Sequence, residues 1–187
     1  MQKLYCYVDE TGQDTEGAMF LVSIVLTEDE RERLVQLLYE IEEQSGKGLV
    51  KWHKTSLEAK IGYLQRIFNT PAFSRSFFYA VYRNTKEYLD LTIFATAKAI
   101  RQRIRDEDYR VTVIVDGMEH FEVLKFGASL RRLGIWTRKV RGVRDEGDCF
   151  IRLADAIAGF VRDALEGQPY TETLFPRAKE QGFIHEA

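Results

Sequence analysis

Three aspartates interrupt apolar runs where a carboxylate is hard to accommodate. Asp9 closes "LYCYVD", Asp116 closes "VTVIVD", and Asp155 lies inside "IRLADAIAGFV", on an otherwise unbroken apolar helix face; Glu10 directly follows Asp9. A lone carboxylate buried in such surroundings is driven to neutralise unless a cation shares its site. One explanation covers all three: they converge and share divalent metal. Carboxylate oxygens are hard ligands suited to Mg²⁺ or Mn²⁺. Two such ions roughly 4 Å apart activate a water and stabilise the leaving oxygen of a phosphodiester. No histidine or cysteine cluster competes for a zinc site.

Each acid also has a local explanation. Asp9, Glu10 and Gly12 suit the start of a hairpin loop, and Asp116 before Gly117 suits a strand-end turn or a helix N-cap. Arg152, one turn before Asp155, is placed to partner it. Asp145, Glu146 and Asp148 suit the N-terminus of the helix that follows. Asp148 lies about two turns before Asp155 and shares its face, which makes it a candidate fourth metal ligand. His120, one turn after Asp116, and His53 with Lys51 are weaker candidates for substrate contact, and both suit exposed surface. "GKG" at 46–48 lacks the spacing and following Ser/Thr of a phosphate-binding P-loop.

The elements that must carry these residues follow from periodicity. Strands are expected at 3–9, 18–26, 76–83, 109–117 and 135–140, from β-branched and aromatic runs. Helices are expected from Thr27, with Glu30 completing a capping box, and from Ser56 to the stop at Pro71. Further helices span 86–105, the run ending at Gly134, and the closing run ending at Gly167. The fourth strand is apolar enough to be buried on both faces. Strands first and helix–strand alternation later describe a mixed sheet covered by helices. The 187 residues fit a single domain, with a helical insertion at about 27–70 and a loosely attached tail at about 168–187.

The formal net charge of −2 does not favour nucleic acid, but its distribution does. From Val123 to Arg144 there is no acid, while Lys125, Arg131, Arg132, Arg138, Lys139, Arg141 and Arg144 are basic; "KAIRQRIR" at 98–105 is a second basic cluster. Such runs suit a polyanion as well as an ordinary solvated face. No apolar run approaches the ~18 residues of a membrane span, and the N-terminus lacks a signal-peptide layout. Cys6 and Cys149 have no metal-ligand spacing and are expected as buried thiols of a cytoplasmic protein.

Together "YVDETG", "VIVDG" and "IRLADAIAGFV" resemble the three signature blocks of the domain of unknown function 3800 family, over nearly the whole chain from Tyr7 to Gly159. The resemblance implies a ribonuclease H-like α/β fold: a five-stranded mixed sheet, its first three strands antiparallel and the rest parallel, with strands one and four adjacent. It implies an acidic site of Asp9, Glu10, Asp116 and Asp155. Thr11 stands where the family has Ser. Arg152 stands where a Gln is common, placing a cation beside the proposed ligands or a grip on phosphate. The function expected is a two-metal nuclease, or related phosphoryl-transfer enzyme, on DNA or RNA. Arg131, Arg132, Arg138, Lys139, Arg141, Arg144 and Arg152 would hold the backbone. Trp136, Tyr82 and Trp52 are candidates for base stacking, and equally for core. The alternative is a non-catalytic nucleic-acid or protein-binding module in which Arg152 replaces the metal. An ATP-handling relative with two such lobes would need a longer chain and a glycine-rich clamp.

Overall fold

Alternation along the first strand decides which layer each side chain enters, since successive residues of a strand point to opposite faces. In the computed structural model, which describes residues 1–28, 30–105, 108–143 and 147–187, strand β1 spans Gln2–Thr11. Its Tyr5 and Tyr7 face one hydrophobic layer, and Leu4, Cys6 and Val8 face the other. Strand β2 (Phe20–Thr27) is buried along its whole length, as an inner strand sandwiched between two helical layers must be.

The chain continues through α1 (Arg31–Gln44), α2 (Leu57–Phe68), β3 (Phe77–Tyr82) and α3 (Tyr88–Arg103). Then follow β4 (Tyr109–Asp116), α4 (His120–Arg132), β5 (Thr137–Val143), α5 (Cys149–Leu165), α6 (Thr171–Glu180) and β6 (Ile184–Glu186). The sheet order is β5-β4-β1-β2-β3-β6. β1–β2 and β2–β3 are antiparallel, whereas β1–β4, β4–β5 and β3–β6 are parallel. α1, α2 and α5 pack into the layer that contains Tyr7, while α3 and α4 cover the opposite face.

All five expected strands are present, with boundaries moved by up to three residues, and β6 adds a sixth. The tail is not loose. Phe183 and Ile184 enter the core, and the backbone N–H of Ala187 donates to Tyr79 O at 2.8 Å. The aromatics Phe68, Phe160 and Phe183 interlock there, with Phe68–Phe183 centroids 5.8 Å apart. α1 does not start on a Thr27 cap. Thr27 still pairs with Tyr5 in the sheet, and Glu30 is the N-cap residue. β4 is buried on both faces only in its second half, because Arg110 and Thr112 reach the surface.

Gly12 turns β1 toward β2 with φ 101°, and a Cβ there would lie 2.2 Å from Met19 O, so no side chain fits.

Candidate acidic site

β1 and β4 run parallel with Val8 opposite Val115, so Asp9 and Asp116 follow one step later at the same carboxyl edge of the sheet. Both side chains project toward α5, by alternation from Tyr7 and Ile114. α5 forms because its apolar residues wrap most of its surface, and it caps itself: Asp148 Oδ1 accepts the Phe150 N–H at 2.9 Å. Two turns on, it presents Asp155 from above the sheet. Asp9 is 8 % exposed, and its carboxyl is held well above the usual carboxylate range by burial, then by the charges of Asp155 and Asp116. Asp155 and Asp116 therefore each sit within electrostatic reach of Asp9.

Asp155 is held by a loop of the insertion. Its Oδ2 accepts the backbone N–H of Trp52 at 2.8 Å. The Trp52 indole is buried against Gly159, where a Cβ would lie 2.0 Å from Cδ1, and its Nε1 donates to Asp163 at 3.1 Å. Gly159 therefore serves the Asp155 support. Trp52 is a core residue rather than a base-stacking one.

Glu10 points to the other side of the sheet edge. It accepts from Thr92 Oγ1 at 2.6 Å and Gln13 Nε2 at 2.8 Å. Burial nevertheless raises its pKa, more than those bonds lower it, and Glu122 and Asp116 add to the rise. A cleft of about 540 Å³ is lined by Asp9, Glu10, Asp116 and Glu122 with Lys86 and Tyr88. Glu122 is an acid that the sequence reading missed. Its position three residues after Glu119, in the capping box that opens α4, was the available signal. Lys86 is the one cation lining this cleft among the described residues.

The carboxylate-only donor set suits a hard divalent cation, and Asp9, crowded by two like charges, would be relieved by one. As the side chains stand, no three His, Cys, Asp or Glu among the described residues form a ready metal cage.

Other expected site residues go elsewhere. Asp148 is corrected as a metal ligand: besides capping α5, its Oδ2 lies 3.3 Å from Arg31 Nη2. It lines a different groove. Arg152 is corrected as a nucleic-acid contact. It is 3 % exposed, and its Nε and Nη2 donate to Glu42 at 2.8 Å each. Glu42, one turn after Leu38 on the buried stripe of α1, was findable by that spacing. Lys47 of "GKG" is also buried, donating to Val50 O at 3.0 Å and 3.8 Å from Glu42. Lys139 and Arg141 face the α5 side of β5, in register with Thr112 and Ile114. Arg131 and Arg132 end α4 in the opposite layer, Arg131 beside the exposed Trp136 in a cleft of about 390 Å³. Tyr82 stacks on Phe20 with centroids 6.5 Å apart. His53 and His120 are exposed. Arg144, Asp145 and Glu146 lie outside the described residues.

No protein-family model matches the chain, and no curated protein matches it. Solved structures do. The ribonuclease H2 of Pyrococcus horikoshii OT3 is 15 % identical with a TM-score of 0.59, covering 90 % of this chain and 78 % of that one. The RNase HII in a PCNA:RNase HII complex from Archaeoglobus fulgidus is also 15 % identical, with a TM-score of 0.54, covering 99 % of this chain and 92 % of that one. The fold is ribonuclease H-like.

Proposed function

We propose that this chain is a metal-dependent nuclease acting on DNA or RNA, related to the domain of unknown function 3800 family. The observation that carries the reading is that Asp9 and Asp116 end adjacent parallel strands of a ribonuclease H-like fold while Asp9 feels the charges of both Asp116 and, from α5, Asp155. Asp9, Asp116 and Asp155 would hold Mg²⁺ or Mn²⁺, which supplies Lewis-acid activation of a water and charge stabilisation of a phosphodiester. The acids act as ligands, not nucleophiles. Glu10 and Glu122 line the cleft from the opposite face. Lys86, the cation on its wall, would meet a non-bridging phosphate oxygen and compensate the charge of the approaching backbone.

Among the described residues no helix is long and apolar enough to cross a membrane. Cys6 and Cys149 are buried free thiols, as in a reducing cytoplasm; burial pushes Cys149 up to about 12, so it is inert at neutral pH.

The deciding experiment is incubation with labelled single- and double-stranded DNA and RNA in Mg²⁺ or Mn²⁺. Cleavage is expected with the wild type and absent with Asp9→Asn and Asp116→Asn. Cleavage that survives in both variants overturns the assignment. Nucleic-acid binding without cleavage or metal uptake would select the binding-module alternative.

A further inference from the structure

A second groove, about 800 Å³, opens on the same sheet face as Asp9 and Asp116. Its floor is Tyr5, Thr112 and Ile114. One wall is β5, with Arg138, Lys139 and Arg141, and the other is the first turn of α1, with Arg31 and Arg33. Glu30, Glu32 and Asp148 also line it, and two of them answer the α1 wall: Arg31 lies 3.3 Å from Asp148, and Arg33 lies 3.7 Å from Glu30. Arg138, Lys139 and Arg141 make no ion pair among the described residues, and the groove is lined by five cations against three acids.

The groove has a direction. At one end a smaller cleft of about 300 Å³ shares Tyr5, Thr112 and Arg138 with it and adds Arg110. At the other end lies Val143, the register partner of Asp116. From Thr112 to Asp116 the floor runs about 13 Å along β4, at ~3.3 Å per residue. It therefore leads from a basic trough with an aromatic floor toward the sheet edge that carries Asp116.

We propose that this groove is a track for a single nucleic-acid strand, with phosphates on Arg138, Lys139 and Arg141 and a base stacked on Tyr5. The proposal rests on the nuclease reading for what the track delivers to, and it adds the substrate class: a strand with unpaired bases next to the cut. A cationic rail beside an aromatic floor is what unpaired strands use, because every base has a face to stack. A duplex turns those faces inward and leaves Tyr5 without a partner.

The test is fluorescence anisotropy in EDTA, with a short labelled oligothymidylate and a blunt duplex as probes over a range of salt. The single strand is expected to bind about tenfold tighter than the duplex. Arg138→Ala/Lys139→Ala/Arg141→Ala should weaken it about tenfold and flatten the log–log salt slope by about two, at ~0.7 per lost phosphate contact. Tyr5→Leu should weaken it about fivefold at unchanged slope. If the triple variant melts early, Lys139→Gln alone should flatten the slope by ~0.7. Equal affinity for the blunt duplex, or wild-type binding by a folded triple variant, overturns the proposal. Binding as expected, with no cleavage of single- or double-stranded DNA or RNA on adding Mg²⁺ or Mn²⁺, would sink the nuclease reading and leave the track standing. Duplex cleavage undiminished in the triple variant would do the reverse.

Discussion

Arg152 and Glu42, 110 residues apart, close on each other through two parallel bonds of 2.8 Å, with side chains only 4 % and 2 % exposed. Lys47, itself fully buried, lies 3.8 Å from the same carboxylate. Two cations thus share Glu42 as their first counter-charge inside the helix layer that carries Asp155, whose charge also acts on Lys47. Breaking a buried pair from one side costs about 3–5 kcal/mol, since an uncompensated charge remains. Glu42→Ala should therefore cost more than Arg152→Ala, which leaves Lys47 to answer Glu42. Urea unfolding of the two variants checks the order; equal losses would mean that Lys47 is not part of the network.

The crowding at Asp9 makes a pH-dependent prediction in EDTA. Burial, Asp155 and Asp116 raise the folded-state pKa of Asp9 above its unfolded value of about 3.9. The folded state therefore binds the proton more tightly, and stability falls as pH rises from about 4 through the raised folded value. Asp9→Asn removes that loss. The variant should melt higher than wild type at neutral pH, by roughly 2–4 °C per kcal/mol relieved, and the two should converge near pH 4. A variant that melts lower than wild type at pH 7 refutes the crowding.

Divalent cation should act in the opposite sense on the same pair of proteins. Mg²⁺ or Mn²⁺ bound to the folded state raises the melting temperature of wild type by mass action, about 2.7 kcal/mol at a hundredfold excess over Kd. Asp9→Asn and Asp155→Asn should lose most of that gain, read by calorimetric titration and by thermal melts with and without EDTA. A wild type indifferent to both ions would end the metal assignment.

Gly159→Ala tests the loop that supports Asp155. The added methyl must displace the Trp52 ring, since a Cβ would lie 2.0 Å from Cδ1. Overpacking of this kind costs about 1–3 kcal/mol. Trp52 fluorescence should change as the indole leaves its buried seat. Gly159→Ala with native Trp52 emission would show that the ring is not wedged there.

Phe183→Ala tests the tail. Phe183 is 8 % exposed and packs against Phe68 with tilted rings, and its loss should cost about 3–5 kcal/mol. Loss of less than about 1 kcal/mol in urea unfolding would return the tail to a peripheral role.

The parts of this structure that were legible in the sequence are those with a local signature. Asp9 and Asp116 stood out because each ends an apolar strand, and Asp155 because it breaks an apolar helix stripe. Their approach needed the parallel pairing of β1 with β4, which periodicity does not encode and the motif resemblance implied. β6 escaped because three residues carry no alternation to detect. The basic run from Lys125 to Arg141 was continuous in sequence but is split in space. Arg131 and Arg132 finish a helix of one layer, while Lys139 and Arg141 alternate onto the face of the other. Arg152 was mistaken for a surface contact because its partner Glu42 lies in a distant helix. The adjacent acids Asp9 and Glu10 were read as one unit, although strand alternation sends them to opposite faces.

The backbone amide of Trp52 grips Asp155 while its indole fills the hollow left by Gly159 one turn further on. The segment between β2 and β3 is thus a latch whose tongue rests on the acid itself. Whatever shakes that segment, whether heat, a cavity beneath α2 or a clipped loop, will disturb the carboxylate while the six strands are still intact. Loss of activity should then run ahead of unfolding.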